Sequence, residues 1–504
     1  LATFMLGLAL GSKLGARLSS RVSPVLLPSL LFMTALACAG SSHVLHATLW
    51  VREHASLGWQ LGSACAYLMF VTTLMGVSLP IVLATIRARH ADVLLYALNN
   101  LGALVGALFA GYVSIERYGL RASSWVAAGC YACAVLLAVR SDANAAPDPK
   151  DQNLEGQGGP QLTKPRALGL AFLCGWIGLF GEVYWMRLTS LVILNTVYAY
   201  TQVVAVFLLG ILAAALASIG AARRGWNRQR LLSIAFAATG ALAVTATYAW
   251  IRLSANPFLS ERLARGNSWI SWLGLAVVLF PPVFASCLAF PLLLSHRPPS
   301  IRRARWFGNL SALNTLGSVL GSLACGFWFL PHAGLQACAA LLLFTSVLGM
   351  ALVRRPTLGS LFPVAAAAIL LGFFLRLPQD WIERKLPPGW TALEIREGLS
   401  SQSMVAQSPA GQRRLWINSA WVAGTGGGHA ALGLIPGLYV ETPRRALGIA
   451  VGTGQTFASA LRHGFSRMDC VDIDDNVLDL ARRWFADFNH RLFERPGVAA
   501  HHDD

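Results

Sequence analysis

The chain has 504 residues, 55% of them hydrophobic and only 12% charged, with a mean hydropathy of +0.55. Soluble domains carry about a quarter charged residues, so an ordinary water-soluble protein is excluded as a description of the whole chain. The net charge of +17 would suit a nucleic-acid binder, but the arginines fall in short clusters between apolar runs, at Arg17/Arg21, Arg87/Arg89, Arg223/Arg224/Arg228/Arg230, Arg302/Arg303/Arg305 and Arg354/Arg355. No basic face interleaved with aromatics occurs, so the clusters read as cytoplasmic loops of a membrane protein and no nucleic-acid partner is expected.

From the N-terminus onward, runs of roughly 18 or more uncharged residues are long enough to cross a hydrocarbon core of about 30 Å. Backbone in lipid must pair within its own segment, so these runs are helices. Spans are expected at about 1–12, 23–40, 61–85, 93–115, 122–139, 166–186, 196–220, 231–252, 268–294, 308–330 and 333–353, with a shorter apolar segment at 360–376. Residues 140–165 contain SDANAAPDPKDQNLEGQGGPQ, whose composition cannot bury a core and reads as a polar linker. Eight of the nine cysteines lie in apolar segments, where Cys acts as a small hydrophobe; Cys130 and Cys133 form a CxxC inside a span, where packing is the expected role.

The two membrane stretches repeat each other. FMLGLALGSKLGARLSSR at 4–21 aligns with VFLLGILAAALASIGAARR at 206–224, and YALNNLGALVGALFAGYVSIERYGL at 96–120 with SALNTLGSVLGSLACGFWFLPHAGL at 311–335. Parallel halves of this kind resemble major-facilitator transporters. By that register a first helix is expected upstream of Leu1, in the place that 166–186 takes in the second half. The small residues in LGALVGALFAG and LGSVLGSLACG predict close helix packing. GEVYWMR puts Glu182 and Arg187 at the end of a span, where ionisable residues are candidate substrate contacts, Glu182 for a cationic amine; snorkelling to the interface is the competing role. Asn99, Asn100 and Asn314 either line a cavity or hydrogen-bond between helices.

Beyond 376 the sequence becomes alternating and charged. TALEIREG, SSQSMVAQS and RRLWINS predict antiparallel strands with a turn at Pro409–Gly411, and AGTGGGHAALGLIPGLY a glycine-rich loop that starts a helix. RALGIAVGTGQTFASALRHG reads as strand, tight turn and helix, and DCVDIDDNVLDLARRWF as a second strand and helix, the opening of a Rossmann-like domain. Gly452 and Gly454 let the backbone turn sharply beside a ligand, and Asp472, 20 residues beyond Gly452, ends the second strand where an acid accepts hydrogen bonds from ribose hydroxyls. This predicts a nucleoside-containing ligand without choosing between NAD and an S-adenosyl compound. Asp474 is expected to cap the helix beginning near Asn476. His501-His502-Asp503-Asp504 reads as a strand end with an acid, not a metal site, and His429 either orients a substrate or begins a helix.

In order, the strands before the turn, the helix leading into Leu-Ile-Pro, the glycine turn, the acidic strand end and the closing HHDD resemble the polyamine (spermidine) synthase family. With its spans, the whole chain is similar to the fused major-facilitator/spermidine-synthase membrane proteins, and it resembles a fragment of one. The implied fold is a polytopic α-helical membrane protein of two repeated halves, at 1–139 (N-terminally incomplete) and 166–376. A β-strand region at 377–440 follows, then the start of a Rossmann-like nucleoside-binding domain at 441–504 (C-terminally incomplete). The resemblance implies aminopropyl transfer from decarboxylated S-adenosylmethionine to a diamine such as putrescine, with no metal. It assigns Gly452 and Gly454 to the cofactor turn, Asp472 to the ribose, and Asp503 or Asp504 to the adenine side. Where many family members carry an acid in the glycine turn this chain has VGTGQT. It has Asn418-Ser419 and Val422 in place of Asp-Gly and a Gln, and Gly428-His429-Ala430 in place of Tyr-His-Glu; the catalytic Asp is expected beyond Asp504. A transporter with a non-catalytic nucleoside-binding domain and an S-adenosylmethionine-dependent methyltransferase are the alternatives. The expected surroundings are the bilayer of a cell (inner or plasma) membrane, with the soluble domain on the cytoplasmic side; a homo-oligomer is compatible with these features.

Overall fold

The computed structural model describes residues 2–19, 25–54, 57–85, 91–140, 162–193, 197–254, 269–296, 301–353, 362, 364–369, 371–372, 386–398, 401–418, 420–425 and 428–503. Most of the expected linker, part of the 360–376 segment, the arginines at 21, 87, 89, 354 and 355, Ser419 and Asp504 lie outside them.

The apolar runs form helices α1 (Ala2–Leu18), α2 (Leu26–His54), α3 (Leu57–Thr85), α4 (Ala91–Phe109), α5 (Ile115–Arg140), α6 (Lys164–Ser190), α7 (Val197–Arg223), α8 (Arg228–Ser254), α9 (Trp269–Leu294), α10 (Arg303–Leu323) and α11 (Leu330–Val353). Among the described residues, seven continuous helical stretches are long and apolar enough to cross a membrane. Two of these, 91–140 and 303–353, contain 50 and 51 residues, about twice what one crossing needs. Each bends where a glycine leaves the helical region, Gly119 at φ 74°, ψ 177° and Gly334 at φ 75°, ψ 179°. Each bend follows a π-helical turn, Ala110–Ser114 or Ala324–Phe329, so the repeated sequences share an irregular backbone as well as a pattern. The helices at α1 and α2 run past the expected ends, to Leu18 and His54, because helix continues after hydropathy fades.

The halves meet through α1 along α10 and α4 along α7. In the second half the small-residue spacing does the packing. A Cβ on Gly317 would lie 2.0 Å from the Phe172 carbonyl oxygen, one on Gly321 2.6 Å from that of Trp176, and one on Gly175 1.7 Å from that of Asn314. The equivalent Gly102 and Gly106 have nothing within 4 Å.

Helix direction follows from the end contacts. At one end Arg228 donates to the Ser295 carbonyl (2.8 Å), Trp306 to that of Leu294 (3.2 Å), and Gly308 rests against Ala16. At the other, Trp250 Nε1 donates to the Leu188 carbonyl at 3.1 Å and Tyr184 meets Thr247. Gly240 beside Leu343 and Gly349 beside Phe236 make α11 antiparallel to α8.

The C-terminal region holds an antiparallel sheet, β1 (Thr391–Glu397), β2 (Gln402–Gln407), β3 (Arg413–Ile417) and β4 (Ala420–Gly424), paired in sequence order. Gly411, at φ 80°, turns the β2–β3 hairpin. After α12 (Gly428–Gly437) come β5 (Arg445–Ile449), α13 (Gln455–Ala460), β6 (Arg467–Asp472), α14 (Asp475–Trp484) and β7 (Val498–His502); the strands form a parallel sheet in the order β5-β6-β7. Helix α14 joins the two sheets. Its Val477 and Leu480 are buried with Val405 and Leu415 of the first sheet, and its Leu478 and Ala481 with Met468 and Cys470 of the second. Two apolar faces on one helix thus fix how the sheets sit, each of its buried valine and leucine side chains contributing about 1.5–3 kcal/mol by burial.

Candidate functional site

After β5 the chain winds through three left-handed residues, Ala450 (φ 64°), Gly452 (φ 56°) and Gly454 (φ 79°). Glycine adopts this backbone freely, whereas alanine there is strained by roughly 1–2 kcal/mol. The winding lets the Gly454 N–H reach the Val451 carbonyl (2.9 Å) and opens α13 at Gln455. A Cβ on Gly452 would meet only Ala423, at 3.4 Å, so the space beside it is open; Gly454 is backed by Asn489 and Leu492 at 3.2 Å.

Asp472 lies beside this turn at the end of β6 and is 7% exposed. Its Oδ2 accepts from the Val451 N–H at 2.8 Å and its Oδ1 from the Asp474 N–H at 3.0 Å. A carboxylate has about four acceptor positions, so one holds the turn, one holds the start of α14, and two remain. Asp474 caps α14, accepting from the Asn476 N–H at 3.0 Å, as the spacing predicts. It also accepts from Ser401, and from Ser403 at 3.2 Å. Sequence reasoning missed these two serines; their only signal was a polar Ser-Ser-Gln-Ser start to a strand.

The other expected residues scatter. His429 is the second residue of α12, and its carbonyl accepts from Thr456 at 3.1 Å, tying α12 to the helix opened by the glycine turn. Asp503 is exposed, its N–H donating to the Asp472 carbonyl at 3.3 Å. His501 pairs with Asp469 at 3.1 Å and His502 Nε2 lies 3.1 Å from the Ile473 carbonyl. Glu182 is half-buried on α6 with no hydrogen bond among the described residues. A cavity of about 10 Å³ between the helices, room for one water, is lined by Gly178, Gly181, Trp185, Thr239 and Ser286 and not by Glu182. Asn100 donates back to Tyr96 in its own helix at 2.7 Å.

Arg187 reaches the C-terminal region. Its Nη2 donates to Glu397 Oε2 at 2.7 Å and to the Gly398 carbonyl at 3.1 Å, joining a membrane helix to β1. Burial pushes the Glu397 carboxyl above the usual range, against the opposing pull of Arg187 and a hydrogen bond from Gln402. Glu394, on the same strand, goes the other way: burial works to raise it, but hydrogen bonds from Trp484 and Arg396 and the charge of Arg483 outweigh that. An open depression of about 260 Å³, lined by Gly411, Gln412, Arg413, Thr425 and Asp487, is roomier than the cavity at α6, yet neither Asp472 nor the glycine turn lines it. The geometry of the turn is the better guide to a ligand than that volume, because it brings oriented polar groups to one place.

No family model matches the chain. A polyamine aminopropyltransferase of Archaeoglobus fulgidus is 39% identical over 66 residues, which are 13% of this chain and 24% of the relative. The chain thus spans about a quarter of the length of the curated relative it matches. A crystal structure of the E. coli fucose:proton symporter superposes over 70% of this chain and 89% of its own, at 11% identity and a TM-score of 0.43.

Proposed function

We propose that this chain is a membrane-bound, spermidine-synthase-like protein whose Rossmann-like C-terminal domain binds decarboxylated S-adenosylmethionine for aminopropyl transfer to a diamine such as putrescine. The observation that carries the reading is the left-handed turn through Gly452 and Gly454 with the Asp472 carboxylate bonded into it. The short match to an aminopropyltransferase points the same way. The residues present fit the nucleoside end of such a ligand: open space beside Gly452, two free acceptor positions on Asp472, and Asp503 at the next strand end. In the transfer, the amine nitrogen bonds to the carbon beside the sulfonium as the carbon–sulfur bond breaks toward sulfur, and methylthioadenosine leaves. A carboxylate base takes the amine proton. None of the described residues is assigned that last role.

A second reading, a polyamine or small-molecule transporter with a non-catalytic nucleoside domain, draws on Glu182, an acid inside an apolar helix with no hydrogen-bonding partner among the described residues. One experiment separates these. Calorimetric binding of decarboxylated S-adenosylmethionine, S-adenosylmethionine and NAD is compared on full-length protein and its Asp472→Asn variant, which keeps the side-chain shape. Selective binding of the decarboxylated compound, weakened at least tenfold in the variant, is expected. Preference for S-adenosylmethionine would indicate a methyltransferase, and no nucleoside binding at all would leave the transporter reading.

A further inference from the structure

The side of the membrane on which the C-terminal domain sits follows from the two ends of α6. At the last turn, Arg187 holds Glu397 and Gly398 of the domain, and Gln402 Nε2 secures the other Glu397 oxygen at 3.1 Å. The two ionic side chains are 9% and 22% exposed, so this is a built contact and not a grazing one. At the first turn, α6 opens with Lys164 and Arg166, and its orientation groups that end with Arg17 and Arg223 closing α1 and α7 and Arg228 and Arg303 opening α8 and α10. A helix of 27 residues spans about 40 Å, so a bilayer's thickness separates Arg187 from the arginine-rich end. Basic loops of membrane proteins stay in the cytoplasm.

We infer that the C-terminal domain is docked on the non-cytoplasmic face of the membrane, anchored over the end of α6 by Arg187. This reverses the cytoplasmic placement expected from the sequence. It requires one more crossing, because α11 is antiparallel to α8 and closes at the arginine-rich end. The described part of the 360–376 segment is consistent with that crossing. Residues 364–369 are helical, and Ala367 (1% exposed) and Leu371 (9%) belong to the same buried cluster as Phe180, Trp306 and Leu342. The consequence is that whatever occupies the glycine turn comes from outside the cytosol or through the helices.

The test needs no ligand, so it is independent of the nucleoside reading. Single cysteines are introduced at Ala410, in the exposed β2–β3 turn, and at Trp226, exposed between α7 and α8. Right-side-out membrane vesicles carrying full-length protein are treated with a membrane-impermeant maleimide, with labelling in detergent as the normaliser and the unmodified chain as background. Ala410→Cys should label in sealed vesicles and Trp226→Cys only after the membrane is opened. Labelling of both from the same side, or of Trp226→Cys alone in sealed vesicles, overturns the inference.

Discussion

Replacing Arg187 by alanine should release the β1–β2 hairpin from the helix end while leaving the glycine turn in place. Truncating one partner of a buried ion pair costs about 3–5 kcal/mol. Glu397 is 22% exposed against 9% for Arg187, which places this pair at or under the bottom of that range, at about 2–3 kcal/mol. With a factor of ten for each 1.4 kcal/mol, amide exchange in the hairpin should quicken by about 30–140-fold. The reporting amides are Gly398, which donates to Ser401 at 2.8 Å, and Asn418, which donates to Gln402 at 2.7 Å; amides of α14 serve as the internal control. The pH dependence adds a sign. Because burial raises Glu397, the native state holds more protons than the unfolded one between the ordinary glutamate range and the raised value. The group's own contribution to stability therefore falls as pH rises through that window, while its charge attraction to Arg187 exists in full only above it. The difference between wild type and Arg187→Ala should accordingly narrow as the pH falls through the window. Acceleration of less than about threefold, or a difference that does not change with pH, would refute the anchor.

Ala450→Gly should remove the strain of a left-handed alanine and stabilise the turn by about 1 kcal/mol, slowing exchange of the Val451 and Gly454 amides by roughly fivefold; unchanged or faster exchange would show that Ala450 is not strained. Gly317→Leu drives a side chain into the Phe172 carbonyl and should abolish monodisperse protein in detergent, whereas Gly102→Leu, with nothing within 4 Å, should leave the yield near wild type. Equal yields from the two variants would contradict the packing described for α6 and α10.

What the sequence displayed and what it hid divide along sequence distance. Hydropathy located the helices because lipid imposes length and composition locally, and the repeat showed that two segments share one plan. It did not show that Gly119 and Gly334 bend their helices, since a lone glycine in an apolar run looks the same whether it packs or turns. Gly452, Gly454, Asp472 and the Asp474 cap were legible because turn, strand end and cap are each decided within a few residues. The serine contacts to Asp474 and the Arg187–Glu397 pair were not, being 73 and 210 residues apart in the chain for Ser401 and Arg187 respectively. Arg187 read locally has water or a substrate as its natural partner, and only the tertiary fold supplies a glutamate.

Those long-range contacts change what the site is. From Arg187 an unbroken set of hydrogen bonds runs through Glu397 and Gly398 to Ser401, from Ser401 to Asp474, from Asp474 to Asp472, and from Asp472 to Val451 in the glycine turn. A ligand that takes the two acceptor positions left on Asp472 bonds a carboxylate whose other bonds belong to this set, so the membrane helix and the turn are joined by contiguous hydrogen bonds. Contiguity alone is not coupling, which requires two arrangements of the set with different ligand affinity. The distinction is measurable on one variant. If Arg187→Ala frees the hairpin yet binds nucleoside as tightly as wild type, α6 only places the domain on its face of the membrane. If affinity falls as the hairpin opens, the same guanidinium that fixes sidedness also sets the geometry of the turn, and linkage then requires that ligand binding in turn tightens the grip on α6.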